Sequence, residues 1–125
     1  MGKKKILIAD DEPCVLRVAK IKLSNAGYEV ITVSNGLNAL EKMKSFEPDV
    51  LITDINMPKL SGKELCTRTN ALNKKKEFLT IVVTSRIEEG DREWTNSLLN
   101  TTFLEKPFSP KEMLKIIKQY FLKKG

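Results

Sequence analysis

Short runs of apolar residues alternate along the chain with longer segments in which apolar positions recur at helical spacing. The short runs predict strands at Lys5–Ala9, Glu29–Val33, Val50–Thr53, Leu79–Thr84 and Thr102–Glu105. The longer segments predict helices over about residues 13–26, 37–47, 62–73, 91–100 and 110–123. This alternation indicates an α/β fold, in which right-handed crossovers place helices on both faces of a parallel sheet.

Signals for helix ends support these boundaries. Gly27 stands just after the first helix, where a left-handed residue is favoured. Ser61 with Glu64, and Ser109 with Glu112, have the spacing of capping boxes at the starts of the third and fifth helices. The pattern is weakest at the fourth helix, because the segment that leads into it is polar and loop-like.

Aspartates follow two of the predicted strands: Asp10 and Asp11 after the first, and Asp54 after the third. In an open α/β sheet the carboxyl ends of the strands form the ligand crevice. Carboxylates crowded there repel one another unless a hard cation neutralises them, which indicates Mg²⁺ held by one or two carboxylates together with water and phosphate oxygens. A remaining acid beside a phosphate is a candidate nucleophile for an aspartyl phosphate.

Length and composition favour one soluble domain over residues 1–125, with 30% charged and 41% apolar residues. No segment has the length of a signal sequence core or a membrane span, so we expect no membrane insertion. Cys14 and Cys66 lack metal-ligand spacing, and the chain contains no histidine. We therefore expect a reduced, cytoplasmic protein without a zinc site or disulfide framework.

The net charge of +6 comes from three lysine clusters, Lys3–Lys5, Lys74–Lys76 and Lys123–Lys124. Outside these clusters acidic residues slightly outnumber basic ones, so a nucleic-acid partner is not expected. All three clusters are predicted at the end of the sheet opposite the aspartates. The simplest explanation of the lysine clusters is that they increase solubility and occupy favourable positions near helix C-termini. The more specific alternative is that they bind an anionic partner weakly.

Four segments in this order and spacing resemble the receiver domain of two-component response regulators, of the chemotaxis single-domain type. They are Ile6–Pro13 (ILIADDEP), Asp49–Gly62 (DVLITDINMPKLSG), Ile81–Ser85 (IVVTS) and Phe103–Phe108 (FLEKPF). The resemblance covers essentially the whole chain. It implies a flavodoxin-like three-layer sandwich, whose five-stranded parallel sheet has the order 2-1-3-4-5 and is flanked by five helices.

The resemblance also assigns roles at the strand ends. It implies that Asp54 is the phosphoacceptor, and that Mg²⁺ is held by Asp10, Asp11, Asp54 and the backbone carbonyl of Asn56. Thr84 and Lys106 are implied to meet two phosphoryl oxygens and spread their charge. The peptide bond between Lys106 and Pro107 is expected to be cis.

The implied switch uses Thr84 and Phe103. Movement of Thr84 toward a phosphoryl group would vacate space for the aromatic ring, and so bias a surface formed by the fourth helix, fifth strand and fifth helix. Asn56, Ser85 and Arg86 are expected to flank the phosphoryl group. Leu99 and Asn100 stand where many family members carry Gly-Ala, although Asn also tolerates the left-handed conformation.

The expected function is phosphorelay signalling, in which a histidine kinase or phosphotransfer protein donates a phosphoryl group and a downstream protein reads the switched surface. The domain would support its own phosphoryl transfer and dephosphorylation without being a metabolic enzyme. Asn56 stands where a phosphatase would need a second acid, and a scaffold independent of phosphorylation would not need this set of residues. Simpler interpretations remain: the acid pair as a helix cap, Lys106 as a surface charge, and Phe103 as ordinary core.

Overall fold

The apolar runs form parallel strands in this computed structural model, which describes residues 2–85, 87–106 and 108–124. The strands are β1 (Lys5–Ala9), β2 (Glu29–Val33), β3 (Val50–Asp54), β4 (Leu79–Thr84) and β5 (Thr101–Glu105). They pair in the order β2-β1-β3-β4-β5, all in parallel. The predicted flavodoxin-like order is therefore confirmed, with β3 and β5 each one residue longer than expected.

A helix follows each strand along the chain. They are α1 (Pro13–Asn25), α2 (Gly36–Phe46), α3 (Gly62–Lys75), α4 (Asp91–Asn96) and α5 (Pro110–Lys124). The predicted extension of the fourth helix to residue 100 is wrong, because residues 97–100 form turns. There Asn100 adopts a left-handed φ of 49°, and the Leu99 N–H donates to the side chain of Asn70 on α3 at 2.9 Å.

Two apolar layers lie against the two faces of the sheet, because successive strand residues point to opposite sides. Ile6 and Ile8 of β1 belong to the layer beneath α1 and α5, whereas Leu7 belongs to the layer beneath α2 and α3. Ile6 and Leu7 are both fully buried. Burial of each such side chain stabilises the fold by about 1.5–3 kcal/mol, so the sheet is a rigid platform for the residues at its edge.

The predicted helix-end signals are present. The hydroxyl oxygens of Ser61 and Ser109 accept hydrogen bonds from the backbone N–H groups of Glu64 and Glu112, at 3.2 and 3.3 Å. Gly27 has a φ of 100°, a conformation that glycine adopts without a steric penalty. The two serine caps fix the first residues of α3 and α5. They therefore also fix where the loops before these helices end.

Basic residues gather at the end of the sheet where the strands begin. The N–H of Lys5 donates to Asp49 just before β3, and the ammonium of Lys76 lies 3.8 Å from the same carboxylate. Lys76 also donates to the carbonyl oxygen of Glu47. The first two lysine clusters therefore lie at the predicted end, while the side chain of Lys124 is outside the described residues. Within the described ranges, no helix has the length and apolar character needed to cross a bilayer.

Candidate functional site

Carboxylates from two neighbouring strands meet at the carboxyl edge of the sheet. Ala9 of β1 lies in register with Thr53 of β3, so Asp10 and Asp54 leave the sheet side by side. Side-chain oxygens of Asp10, Glu12 and Asp54 all lie within 4.8 Å of one another. The predicted approach of Asp10 and Asp54 is confirmed, and three hard oxygen donors within this distance suit a divalent cation.

Glu12 belongs to this group although the strand pattern did not point to it. Its backbone N–H donates to Oδ1 of Asp10 at 2.9 Å, and this turn directs the chain into α1. Asp11 lies between them, is exposed, and is not in the three-carboxylate group found among the described residues. The signal for Glu12 was its place beside the aspartate pair at a helix start. Asp11 as a metal ligand stays a prediction.

Lys106 places an ammonium group among the three acids. Its Nζ lies 3.5 Å from Oδ2 of Asp54, 3.7 Å from Oδ2 of Asp10 and 3.6 Å from Oε1 of Glu12. Its backbone N–H donates to the carbonyl oxygen of Thr84 at 2.7 Å, which ties the end of β5 to the end of β4. Burial lowers the pKa of Lys106, but the surrounding carboxylates outweigh burial and raise it. Lys106 is therefore a fixed positive charge beside Asp54.

Asp10 is the most deeply buried acid of the group, with 3% of its surface exposed. Burial is the main reason that its pKa is raised, and the charges of Asp54 and Glu12 raise it further. The Glu12 N–H and Lys106 act in the opposite direction without cancelling the shift. The ionised Asp10 carboxylate is thus under-compensated, which is a reason for a cation to bind beside it.

Asp10→Asn is expected to stabilise the protein when divalent cations are chelated. A raised pKa means that the folded state loses stability as pH rises from the unfolded pKa through the folded one, so at pH 7 the carboxylate opposes folding. Removing its charge should raise the melting temperature by about 2–5 °C. Mg²⁺ should then stabilise the wild type but not the variant, measured by thermal denaturation in EDTA and in Mg²⁺. Glu89→Gln is the control and should leave the melting temperature unchanged. An unchanged melting temperature of Asp10→Asn in EDTA would contradict the prediction.

Thr84 ends β4, the strand next to β3, and Ser85 follows it in the chain. Asp54 lies in register with Val83, so Thr84 stands one residue beyond the level of Asp54, buried at the same edge. Ser85 is exposed. The predicted flanking residue Arg86 and the expected cis bond to Pro107 lie outside the described residues.

Asn56 lies on the loop after β3 and is exposed. Its backbone N–H donates to Oδ1 of Asp54 at 3.4 Å, a long hydrogen bond that orients the carboxylate. Asn56 is therefore next to Asp54, and its place beside a phosphoryl group stays a prediction. Its backbone carbonyl as a metal ligand stays a prediction.

Phe103 is half-buried on β5 and contacts α4 through Trp94. The two rings meet edge to face, with centroids 6.0 Å apart and planes at 80°. Trp94 donates its indole N–H to Oδ1 of Asp91 at 3.1 Å, and Lys63 Nζ lies 5.8 Å from the indole ring. The Glu88 N–H and the indole hold the pKa of Asp91 below its usual value. These contacts anchor the short α4, whose apolar pattern is weak.

Residues 6–118 match the protein family described as the response regulator receiver domain. The chain belongs to this family. It is therefore a receiver domain of phosphorelay signalling, and receiver domains are signalling switches that interact with histidine kinases or phosphotransfer proteins and with downstream targets. The resemblance seen in the four sequence segments is confirmed.

The receiver domain is similar to parts of longer regulators and to small proteins. It is 36% identical over 110 residues to the Alkaline phosphatase synthesis transcriptional regulatory protein PhoP of Bacillus subtilis, covering 88% of this chain and 45% of that protein. Over 116 residues it is 30% identical to Protein PilG of Pseudomonas aeruginosa, covering 93% of this chain and 86% of that protein. The chain thus spans less than half the length of PhoP.

Solved structures show the same fold. The chemotaxis response regulator CheY4 of Vibrio cholerae matches with a TM-score of 0.84 and 29% identity, over 94% of this chain and 98% of that one. A CheY-like receiver domain protein from Methanospirillum hungatei matches with a TM-score of 0.86 and 26% identity, over 99% and 100%. The receiver fold is thus shared with these proteins.

Proposed function

We propose that residues 1–125 form a cytoplasmic receiver domain that accepts a phosphoryl group on Asp54 in the presence of Mg²⁺. The donor is a phosphohistidine of a histidine kinase or phosphotransfer protein. The observation that carries the proposal is the position of the Asp54 carboxylate, 3.5 Å from the Lys106 ammonium and within one cation's reach of Asp10. A nucleophile, a cation site and a fixed positive charge are the parts that phosphoryl transfer needs.

In the proposed transfer, a carboxylate oxygen of Asp54 forms a bond to phosphorus while the bond between phosphorus and the donor's histidine nitrogen breaks. The electron pair of the broken bond stays on that nitrogen, which takes up a proton. We propose that Lys106 meets one phosphoryl oxygen and the Thr84 hydroxyl another. In dephosphorylation, water attacks phosphorus while the bond between phosphorus and the Asp54 oxygen breaks. Asp54 recovers its carboxylate, and inorganic phosphate leaves with the oxygen and protons of the water. We propose that the domain supports both reactions with the same side chains.

The acidic edge fits Mg²⁺, because its donors are carboxylate oxygens and one of them, on Asp10, is buried with insufficient compensation. We assign Asp10, Asp11, Asp54 and the backbone carbonyl of Asn56 to hold the ion. When bound, Mg²⁺ offsets negative charge on the acids and on the phosphoryl oxygens. The Lys106 ammonium lies 3.7 Å from Asp10 and 3.5 Å from Asp54, so it also offsets part of their negative charge.

The proposed switch links Thr84 to Phe103 and then to α4. Thr84 and Phe103 lie on adjacent paired strands, and Phe103 already contacts the Trp94 ring at its edge. Movement of Phe103 toward a vacated space near Thr84 would break that contact, so Trp94 fluorescence is a reporter of the switch. The surface formed by α4, β5 and α5 is the proposed contact for the downstream protein. Asn56, Ser85 and Arg86 are proposed to set the phosphoryl lifetime.

We propose that the donor protein binds a groove near Asp54. A groove of about 630 Å³ runs between α1 and α5 and opens beside Ser85 and Lys106. Its walls are mostly apolar and include the half-exposed Val18 and the ring of Phe108. A helical donor protein packed into this groove would bring its phosphohistidine toward the acidic edge.

The proposal is tested with a small-molecule phosphodonor and with beryllofluoride, which mimics a phosphoryl group without being transferred. Mass spectrometry should show one covalent phosphoryl group per chain only when Mg²⁺ is present. Asp54→Ala should abolish this adduct, while Glu89→Ala, in an exposed loop, should retain it. An adduct that persists in Asp54→Ala would move the acceptor elsewhere. Absence of an adduct in the wild type would favour a scaffold, and continuous turnover of a phosphomonoester would favour a phosphatase.

A further inference from the structure

Lys106 has three acidic neighbours, and one of them has no role in the function proposed above. Asp54 is the proposed acceptor and Asp10 a proposed metal ligand, but Glu12 is neither. Its Oε1 lies 3.6 Å from Nζ of Lys106, as close as the other two carboxylates. The Glu12 side chain is 61% exposed, compared with 4% for Asp10 and 13% for Asp54. Glu12 is therefore the outer partner of the ammonium group.

The backbone of Glu12 is held in place by local contacts. Its N–H donates to Oδ1 of Asp10 at 2.9 Å, and its carbonyl oxygen accepts the N–H of Leu16 in the first turn of α1. Pro13 occupies the first helical position and restricts the backbone that follows. The Cα position of Glu12 is thus fixed at the mouth of the site, and the position of its carboxylate depends only on the side-chain torsions.

The three acids differ in what happens to their charge when the site is loaded. A cation bound between Asp10 and Asp54 would offset the charge of those carboxylates, and phosphorylation would turn Asp54 into an acyl phosphate that carries new phosphoryl oxygens. In the ligand assignment proposed above, Glu12 binds neither the cation nor the phosphoryl group, so it keeps its charge through both events. Lys106 is then drawn by the phosphoryl group on one side and by Glu12 on the other.

We propose that Glu12 is a positioning residue for Lys106, which holds the ammonium at the mouth of the site and competes with the phosphoryl group for it. This inference rests on the function proposed for Asp54. Glu12 makes the phosphoryl-bound state less stable and so sets how readily the receiver is switched on. The ammonium group of Lys106 is shared between two contacts that compete, one with Glu12 and one with the phosphoryl group.

Glu12→Gln is expected to bind beryllofluoride about two- to fivefold more tightly than the wild type at saturating Mg²⁺, the range that an exposed ion pair supports. Saturation with Mg²⁺ is checked for each variant, because a lost negative charge also weakens cation binding. Glu12→Asp keeps the charge but is one methylene shorter, so an intermediate affinity is expected. Glu105→Gln removes an exposed charge next to Lys106 in the chain and should leave the affinity within 1.5-fold, roughly.

A second measurement needs neither beryllofluoride nor phosphate. The nitrogen resonance of the Lys106 ammonium, observed by NMR in the metal-free protein, should move in Glu12→Gln and stay in place in Glu105→Gln. Beryllofluoride affinity that is unchanged in Glu12→Gln, or equally changed in Glu105→Gln, would overturn the role of Glu12. If the wild type binds no beryllofluoride, the function proposed for Asp54 fails, and the competition fails with it, while the resonance still reports the resting contact.

Discussion

Gly62→Ala is expected to destabilise the protein by about 3 kcal/mol or more, because the added methyl group has no space and the backbone around it cannot retreat. Gly62 is the first residue of α3 and lies against the end of β3. A Cβ there would overlap the carbonyl oxygen of Asp54 and lie 2.8 Å from both its carbonyl carbon and the Cα of Ile55. The Gly62 N–H also donates to the Ile55 carbonyl at 2.6 Å, which fixes the approach. Urea denaturation measures the loss.

Gly2→Ala is the control, because it makes the same substitution where space is open. It separates the steric effect of the added methyl group from the general effect of replacing a glycine. Gly2→Ala meets nothing within 4 Å and should change the stability by less than about 0.5 kcal/mol. The folded fraction of Gly62→Ala should also bind beryllofluoride more weakly, because the displaced backbone is that of Asp54 itself. A stability equal to that of Gly2→Ala would show that the β3–α3 loop adjusts easily and that the helix does not hold Asp54 in place.

The strands were predictable from the residues because a parallel sheet buried on both faces requires continuous apolar runs. Ile6–Ala9 and Val50–Thr53 read in this way, and each is buried in the structure. The positions of Asp10 and Asp54 followed, since strand ends meet at one edge. The order of the strands came from the family resemblance, because apolar runs alone do not say which strand pairs with which.

The parts that sequence patterns missed depend on hydrogen bonds between side chains and backbone, some within a turn and some between distant segments. Glu12 joined the acidic group through a turn closed by the Asp10 side chain, which no periodicity reports. The end of α4 was misplaced because the chain there is held by α3, more than 20 residues earlier. A pattern that reads only local spacing cannot weigh a hydrogen bond of this kind against continuation of the helix.

The α4–β5 turn depends on Asn73, a buried residue near the end of α3 with 3% of its surface exposed. Its amide group donates to the carbonyl oxygens of Phe78 and Leu99 at 3.0 and 3.2 Å. Its oxygen accepts from the Phe78 N–H and from the side chain of Asn100, both at 3.1 Å. One side chain thus joins α3, the start of β4 and the turn before β5. The junction includes Leu99 and Asn100, which stand where many family members carry Gly-Ala.

Asn73→Ala is expected to cost about 3 kcal/mol, because it leaves the buried N–H and carbonyl of Phe78 without their partner and frees the turn that holds Asn100 in a left-handed conformation. Asn70→Ala removes a single, exposed hydrogen bond to Leu99 and should cost about 1 kcal/mol. Urea denaturation compares the two, and amide hydrogen exchange at residues 97–101 should accelerate more in Asn73→Ala. Equal losses in both variants would mean that the buried junction contributes no more than a surface contact, and that α4 ends at Asn96 for reasons in its own sequence.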